Sequence, residues 1–433
     1  SSYEETMRRR KRLKKIFILP PVLLAALLIW LVISQRANSR PEAGFMDDVP
    51  VEHFLASDRE PDSGLQDSFR LPAGKDGGEN LEGLPEEPVL KIETGKKGGN
   101  LPGSDNEFGH LPGAGDSGKL SLLFCGDIYL SDHVLNAYDR AGGISGVLDE
   151  GLRNEIASAD IFMANEEFPF SERGIAAEDK QYTFRLPPSR MNVMQEIGPD
   201  IVALANNHIL DFGTDALLDT CALLDGAGIR RVGAGAGLDE AKKLEVMEAK
   251  GKKIGFLAAS RVIPVSSWAA GKSHPGVLTT YDPSILLNEI KAAQGQCDYL
   301  VVYVHWGIER NTQPEEYQRT LARQYIDAGA DLVVGSHPHV LQGIEYYKGK
   351  PILYSLGNFV FGSVIPQTMM VRVELDEANQ AVLSVVPATS SAGYTRQMDV
   401  SKWPEFFEEL KALSFDITVD GDGAIHPGTP QSP

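Results

Sequence analysis

A series of short, almost wholly apolar segments that alternate with helical patterns constrains this chain more than any other feature. The strongest of these segments lie at 120–125, 161–164, 201–204, 299–304 and 332–334. Strands that are apolar along their whole length are typical of a parallel sheet with both faces buried, because a strand that faces water on one side alternates with polar residues. The sequence therefore predicts an α/β fold in which helices cover both faces of a sheet.

Weaker patterns complete the predicted fold. Helices are predicted at 145–158, 188–197, 214–226, 314–328 and 403–413. Further strands are predicted at 231–232, 254–258, 351–355, 371–375 and 381–386. The last two strands are expected to be antiparallel. These elements define a domain over 119–415, and residues 416–433, which contain Gly and Pro, are expected to form a flexible tail.

Each of the strong strands is followed by a polar side chain of a type that binds metal ions. In open α/β sheets, ligands sit at the carboxyl ends of the strands, so these side chains are expected to share one site. Carboxylate, carboxamide and imidazole groups without a thiolate suit Mn, Fe or Zn. In chain order the candidates are Asp127, Glu167, Asn207 with His208, His305, and His337 with His339.

A His-Pro-His segment follows the strand at 332–334. In an extended segment, side chains two residues apart point the same way, and Pro338 fixes φ between them. We therefore expect His337 and His339 to be aimed at one point, with a pair of surface-loop histidines as the alternative. The next predicted strand ends before Asn358, which brings another polar side chain to the same edge.

These candidate ligands are more numerous than one tetrahedral ion requires. Two divalent ions about 3.5–4 Å apart, bridged by a carboxylate, would use the whole set, activate a water and neutralise an oxyanion leaving group. The predicted cofactors are two ions of Mn, Fe or Zn. The predicted chemistry is metal-assisted hydrolysis, most naturally of a phosphoester.

Composition argues against several other classes of protein. A net charge of −19 and a pI near 4.9 would repel nucleic acid, so no nucleic-acid partner is expected. The three cysteines, Cys125, Cys221 and Cys297, are far apart, which favours buried free thiols over a cysteine-type zinc site or a disulfide framework. The Gly-rich residues 233–237 follow only a weak strand and do not predict a nucleotide site.

The N-terminal segment has the pattern of a membrane anchor. Basic residues cluster within 1–15, and an apolar run follows at 16–33. This order predicts a single transmembrane helix at 16–34, with the basic end in the cytoplasm. No small-residue cleavage pattern follows closely, which favours an uncleaved signal anchor in the cell membrane. Residues 35–118, rich in Pro, Gly and acidic side chains, are predicted to be a disordered extracytoplasmic linker.

Seven segments of the chain carry a family resemblance. They are GDIYL (126–130), NEEF (165–168), YTFRLPP (182–188), ALANNHILDFG (203–213), VHWGIE (304–309), GADLVVGSHPHVLQG (329–343) and YSLGNFVF (354–361). In this order they resemble the CapA family of poly-γ-glutamate capsule biosynthesis proteins, over roughly residues 120–387. The resemblance implies a layered α/β/β/α sandwich of the metallophosphatase-like type, similar to the calcineurin-type phosphoesterases. It also implies a membrane-anchored extracytoplasmic domain.

The resemblance further implies roles for the candidate ligands. The first ion would be bound by Asp127, Glu167 and His339, and the second by Glu167, Asn207, His305 and His337. Glu167 stands where the phosphoesterases have a bridging aspartate. The implied catalytic residues are His208, which is similar to the general acid of that family, Asp127 and Asn207.

The chain departs from the phosphoesterase pattern at two positions. Tyr129 stands where the pattern Asp-x-His has an imidazole, so the first metal lacks one nitrogen donor. Glu167 belongs to Asn-Glu-Glu, where the CapA pattern commonly has Asn-Leu-Glu.

Five other residues are candidates for supporting roles. Arg185 would grip an anionic substrate group, with a structural salt bridge as the alternative. Trp306 would stack on substrate, with packing in the core as the alternative. Asn358 would bond a ligand or hold the turn before it. Asp211 and Glu309 are candidates for orienting metal-bound imidazoles.

These features leave three functions open. The first is a membrane-anchored extracytoplasmic hydrolase with a dinuclear metal site, acting on a phosphoester or polymer-linked substrate in capsule biosynthesis. The second is a non-catalytic component that binds the anionic polymer or the membrane subunits of the capsule synthase. The third is hydrolysis of the γ-amide polymer itself, because a metal-activated water attacks esters and amides alike. The bilayer is an expected partner through the N-terminal helix.

Overall fold

The computed structural model describes residues 118–428 of the 433-residue chain. The predicted basic segment (1–15), membrane helix (16–34) and nearly all of the predicted linker (35–118) lie outside these residues. Within the described part of the chain, no helix is long and apolar enough to cross a membrane.

The described residues form a mixed α/β structure. The helices are α1 (Asp132–Ala141), α2 (Glu150–Ser158), α3 (Met191–Ile197), α4 (Gly213–Ala227), α5 (Leu238–Ala241), α6 (Ser284–Ala292), α7 (Glu316–Ala328) and α8 (Trp403–Leu413). The strands are β1 (Leu120–Ile128), β2 (Ile161–Glu166), β3 (Ile201–Ala203), β4 (Arg230–Val232), β5 (Ala234–Gly235), β6 (Glu245–Ala249), β7 (Lys252–Ser260), β8 (Gly276–Val277), β9 (Tyr299–His305), β10 (Leu332–Ser336), β11 (Leu341–Tyr347), β12 (Lys350–Leu356), β13 (Asn358–Val360), β14 (Val364–Leu375), β15 (Ala381–Ser391), β16 (Tyr394–Gln397), β17 (Ile417–Val419) and β18 (Ala424–Pro427).

Most of these strands belong to two mixed sheets. The first sheet has the order β17-β18-β15-β14-β1-β2-β3-β4, in which β1 to β4 are parallel and the strands from β14 outward are antiparallel. The second sheet has the order β11-β12-β10-β9-β7-β6, in which the four central strands are parallel and both edge strands are antiparallel. The carboxyl ends of the parallel strands are the ends that carry the candidate ligands.

The second sheet packs against helices on one face and against the first sheet on the other. Val302 and Val304 of β9 join a buried cluster with side chains of α6 and α7. Between them, Tyr303 donates its hydroxyl to the Cys125 carbonyl oxygen of β1 at 2.9 Å. The predicted α/β class is confirmed, but helices do not cover both faces of this sheet. Apolar strands show only that a face is buried, and another sheet buries it as well as a helix does.

Two glycines allow close backbone approach near the strand ends that carry the candidate ligands. A Cβ on Gly126 would lie 1.8 Å from the carbonyl oxygen of Gly357, which accepts the N–H of Asp127 at 2.9 Å. A Cβ on Gly335 would lie 2.0 Å from the carbonyl oxygen of Tyr354. Only glycine fits at these positions, so the ends of β1 and β10 lie where the polar side chains that follow can meet.

The C-terminal part of the domain extends further than predicted. Strands β17 and β18 form a hairpin, and β18 pairs with β15 at the edge of the first sheet. The flexible tail predicted from 416 is therefore wrong over 417–427. Gly423, with φ of +89°, lies in the tight turn of this hairpin, so a glycine that was interpreted as a mark of flexibility instead allows a defined turn.

Candidate metal centre

Six predicted ligands come together where the two sheets meet. Three belong to the first sheet and three to the second. They are Asp127 of β1, Glu167 after β2, Asn207 after β3, His305 of β9, and His337 and His339 after β10. Their side chains are almost completely shielded from solvent. The convergence expected from the strand ends is present, whereas the role of each residue stays a prediction.

One group of possible ligand atoms comes from Asp127, Glu167 and His339, and these atoms lie within 4.8 Å of one another. His339 Nδ1 is 3.4 Å from Asp127 Oδ2, and His339 Nε2 is 3.9 Å from Glu167 Oε1. Asn165 donates to Asp127 Oδ1 at 2.8 Å, which fixes the carboxylate and leaves Oδ2 directed at the histidine.

A second group comes from Glu167, His305 and His337, also within 4.8 Å. His305 Nε2 is 3.6 Å from Glu167 Oε1, 3.1 Å from His337 Nδ1 and 2.9 Å from Asn207 Oδ1. Glu167 is the residue common to both groups, which is the position that a bridging carboxylate requires.

The Glu167 carboxylate tests whether the residues fit a cation. It is fully buried, and neither of its oxygens has a hydrogen-bond partner among the described residues. Burial and the charge of Asp127 raise its pKa well above the usual value. A buried carboxylate without a hydrogen bond is costly, and a divalent ion between these groups would bind its oxygens directly. The donor set fits one or two divalent ions.

The three imidazoles differ in protonation. Burial lowers the pKa of His305 and of His337 well below the usual value, so both rings are neutral and offer a lone pair. Burial acts in the same direction on His339, but the charges of Glu167 and Asp127 outweigh it and raise the pKa to about 10. A cation that binds to His339 must therefore displace a proton.

The backbone of the His-Pro-His segment is not extended as predicted. His337 has a φ of 99° and His339 a φ of 58°, both in the left-handed region that non-glycine residues rarely occupy. Both rings still reach the cluster, and His337 is only 1% exposed, so these are not surface-loop histidines. Backbone strain of this kind is typical of functional sites.

A charged network positions His208 beside the ligands. Its Nδ1 lies 2.7 Å from Asp211 Oδ2 and 3.0 Å from the Lys180 ammonium group, which also bonds Asp211 Oδ1 and the carbonyl oxygen of Asn207. Burial and the charge of Lys180 lower the pKa of His208 to about 4. Sequence reasoning missed Lys180, because it lies in a loop that has no periodic pattern.

Tyr129 belongs to an aromatic stack that covers His208. Its ring lies 3.9 Å from that of Phe184, which in turn lies 4.0 Å from the His208 ring, and both pairs are nearly parallel. Phe361 packs edge-on against Tyr129 and lies 5.1 Å from the ring of His339. Burial raises the pKa of Tyr129 to about 12, so the phenol stays protonated. The stack stabilises the position of His208.

Two residues that were candidates for contacting substrate, Trp306 and Arg185, bond to other parts of the domain. Trp306 is fully buried and belongs to the core on the helix side of the second sheet, where its indole donates to the Tyr354 carbonyl oxygen at 2.9 Å. Of the two roles expected for Trp306, the structure therefore supports packing in the core and not stacking on substrate. Arg185 is exposed, and its guanidinium lies over the Phe212 ring at 4.0 Å and donates to the Arg173 carbonyl oxygen at 3.3 Å.

Asn358 and Glu309 both lie next to the histidines. Asn358 Oδ1 is 2.7 Å from His339 Nδ1, so it accepts the ring proton and leaves Nε2 directed at the cluster. A carboxylate oxygen of Glu309 lies within 4.8 Å of ring nitrogens of His337 and His339. Among the described residues, however, no hydrogen bond joins Glu309 to either ring, in contrast to the orienting contact that the sequence predicted.

Comparison with known proteins agrees with the resemblance. The family model of the bacterial capsule synthesis protein PGA_cap matches residues 121–363. The capsule biosynthesis protein CapA of Bacillus anthracis is 32% identical over 64% of this chain and 68% of that protein. The PGA biosynthesis protein CapA of Bacillus subtilis (strain 168) is 35% identical over 56% of this chain and 63% of that protein.

Among solved structures, the NAD nucleotidase of Haemophilus influenzae is 13% identical, with a TM-score of 0.39, and covers 69% of this chain and 63% of that one. The family model spans more than half of the present chain, and its bounds enclose all six candidate ligands. The chain therefore belongs to the bacterial capsule synthesis protein PGA_cap family, as the seven segments of sequence predicted.

Proposed function

We propose that this chain is a metal-dependent hydrolase that acts on a phosphoester or polymer-linked substrate during synthesis of a poly-γ-glutamate capsule. The observation that supports it is the buried Glu167 carboxylate, which accepts no hydrogen bond within residues 118–428 and is shared by two groups of ligand atoms. The capsule context comes from the names of the two Bacillus relatives. The fold is proposed to be of the metallophosphatase-like type.

In this proposal both sheets contribute ligands to each of two divalent ions. The residues that would hold the first are Asp127, Glu167 and His339, and those that would hold the second are Glu167, Asn207, His305 and His337. The ions, when bound, supply a nucleophile from water and positive charge for the leaving oxygen. Asn165 and Asn358 hold Asp127 and His339 in place.

His208 would handle the proton. Its Nδ1 faces Asp211 and Lys180, so Nε2 is the nitrogen that remains for substrate. With a pKa of about 4 the ring is neutral at pH 7, and it acts as general acid only after an anionic substrate group raises that pKa. A neutral ring can instead donate one hydrogen bond or accept a proton.

We further propose that the segment at 16–34 anchors the chain in the cell membrane, with the domain outside the cytoplasm and close to the membrane subunits of the capsule synthase. This part of the proposal comes from the N-terminal sequence pattern, which lies outside the described residues. Labelling with a membrane-impermeant reagent on intact cells would test it, and exclusive labelling of disrupted cells would contradict it.

The test of hydrolysis uses the purified full chain with Mn²⁺, Fe²⁺ or Zn²⁺. We expect metal retention by elemental analysis and cleavage of an aryl phosphate, both lost in Asp127→Asn and His305→Ala. His426→Ala is the matched control, because His426 is exposed and bonds Asp420 far from the cluster along the chain. Failure of the folded wild-type chain to bind any of these ions would refute the proposal.

A second candidate is a non-catalytic polymer-binding or scaffold component of the synthesis and export complex. The observation that favours it is Tyr129, whose ring is committed to the aromatic stack and supplies no imidazole. The double variant His208→Ala, His337→Ala separates the two functions in a deletion strain. Restored surface polymer would support the binding role, and absent polymer, with the variant folded and exported, would support hydrolysis.

A further inference from the structure

The segment that follows β9 is fixed against the segment that follows β10. Trp306 donates its backbone N–H to the Ser336 carbonyl oxygen at 3.0 Å, and Arg310 donates to the Pro338 carbonyl oxygen at 2.8 Å. These two bonds bracket Glu309 on one side and His337 on the other. The backbone positions of Glu309 and His337 are therefore set by the same pair of hydrogen bonds, and His339 follows directly after the second.

The Glu309 carboxylate is directed at the histidines without being bonded to them. One of its oxygens lies within 4.8 Å of ring nitrogens of both His337 and His339. Within residues 118–428 this carboxylate has neither a hydrogen bond nor an ion pair. The Glu309 side chain is only half-buried, so packing against its neighbours does not by itself explain why the carboxylate lies beside the histidines.

Glu309 is not needed to orient either ring. His339 already has Asn358 Oδ1 at 2.7 Å from Nδ1, and His337 has His305 Nε2 at 3.1 Å from its Nδ1. An orienting carboxylate would accept a hydrogen bond from a ring N–H, and this contact is absent among the described residues. A cation between the carboxylate and the two imidazoles would account for their mutual distances.

The charge of the centre also favours Glu309 as a ligand. Asp127 and Glu167 supply two negative charges, whereas two divalent ions carry four positive charges. A third carboxylate from Glu309 reduces that excess, and Glu309 also supplies a donor in a chain that has Tyr129 instead of an imidazole. The independent sign that the cluster takes a cation is Glu167, which is buried and accepts no hydrogen bond from the part of the chain that the structure describes.

We propose that Glu309 is a direct metal ligand that binds through a carboxylate oxygen next to His337 and His339. This inference rests on the proposed function only in requiring that the centre binds metal. The ligand set then comprises three carboxylates, the carboxamide of Asn207 and three imidazoles, which suits Zn²⁺, Mn²⁺ or Fe²⁺.

The test measures binding of Zn²⁺ and the visible spectrum of bound Co²⁺ in the full chain and in Glu309→Gln. Glutamine keeps the shape of the side chain and removes its charge. We expect the Zn²⁺ affinity to fall by more than about 100-fold, beyond the roughly 10–100-fold typical of residues that only orient a ligand. We also expect the Co²⁺ spectrum to shift. Glu316→Gln is the matched control, because Glu316 is exposed at the start of α7.

A second variant, Glu309→His, is expected to retain metal, because it replaces the carboxylate with an imidazole ligand. An unchanged Co²⁺ spectrum in Glu309→Gln would overturn the inference, whatever the change in affinity. Absence of metal in the folded wild-type chain would overturn both this inference and the proposed function. Metal binding by the wild type, with an unchanged spectrum in Glu309→Gln, would overturn the inference alone.

Discussion

Replacement of Asp211 by asparagine removes the charge at the centre of the His208 network. Asp211 is fully buried, Lys180 is 14% exposed, and the carboxylate also accepts the N–H of Phe184 at 2.6 Å. Loss of one partner of a buried ion pair leaves the other charge uncompensated and typically costs about 3–5 kcal/mol. We therefore expect Asp211→Asn to be strongly destabilising.

The size of the effect can be expressed as a melting temperature. An unfolding entropy of about 2.1 cal/mol/K per residue over roughly 300 residues gives about 0.6 kcal/mol/K, so the loss corresponds to a Tm lower by about 5–8 °C. Thermal unfolding followed by circular dichroism measures it. The control is Asp215→Asn, whose carboxylate is 62% exposed and pairs with Arg173 on the surface. Solvent screens that pair, and Tm should hardly change.

The ion pair can be separated from the shape of the side chains with a double variant. Lys180→Met combined with Asp211→Asn removes both charges, so no buried charge is left without a partner. We expect the double variant to be more stable than Asp211→Asn alone. A Tm of Asp211→Asn within about 2 °C of the wild type, or a double variant less stable than the single one, would refute the reasoning.

Two further predictions concern the ligand cluster and the glycines. In the chain treated with a chelator, burial lowers the pKa of His339 but the carboxylates led by Glu167 raise it to about 10. The stabilisation from the protonated His339 ring is therefore complete below about pH 6.5 and is lost as pH rises towards 10. We expect Tm to fall over that range, and we expect a smaller fall in His339→Gln. Gly126→Ala would place a Cβ 1.8 Å from the Gly357 carbonyl oxygen, and we expect loss of the folded state by circular dichroism. Gly226→Ala, in open space within helix α4, should be neutral or stabilising by up to about 1 kcal/mol. A folded Gly126→Ala with normal Tm, or a pH-independent Tm, would contradict these expectations.

The ends of the strands could be predicted from sequence because the change from apolar to polar residues marks both the end of burial and the position of the candidate ligands. Apolar runs such as 299–304 require burial, and the polar residue that follows each run stops it. The pairing of these runs into two sheets could not be predicted in the same way. A side chain such as that of Tyr303 is buried equally well by a helix or by a second sheet. The apolar pattern therefore does not distinguish one sheet from two.

Residues in loops were harder to predict than residues at strand ends. Lys180 lies between elements, and its partners Asp211 and Asn207 are about thirty residues away along the chain, so no local spacing identifies it. Trp306 packs in the core, as one of its two expected roles had it, because a residue next to a candidate ligand in sequence points to the opposite face of the sheet. The alternation of side chains along a strand puts His305 in the site and its neighbour in the core.

The left-handed backbone at His337 and His339 could not be predicted either, because the spacing of the two histidines fits an extended segment equally well. Only the positions of Gly335 and Pro338 hint at a turn. The strain is tolerated because hydrogen bonds from the neighbouring segment hold Pro338 and Ser336 in place.

The division of the six predicted ligands between the two sheets has a mechanical consequence. Any ion bound by Glu167 and His305 together would cross-link two layers that otherwise meet through packing and a few hydrogen bonds, such as that from Tyr303 to the Cys125 carbonyl oxygen. At a free concentration one hundred times the dissociation constant, such a ligand adds about 2.7 kcal/mol to the free energy of unfolding. Chelation should accordingly speed amide hydrogen exchange first at the ends of β3 and β10, in both layers at once, while the long β14–β15 hairpin keeps its protection.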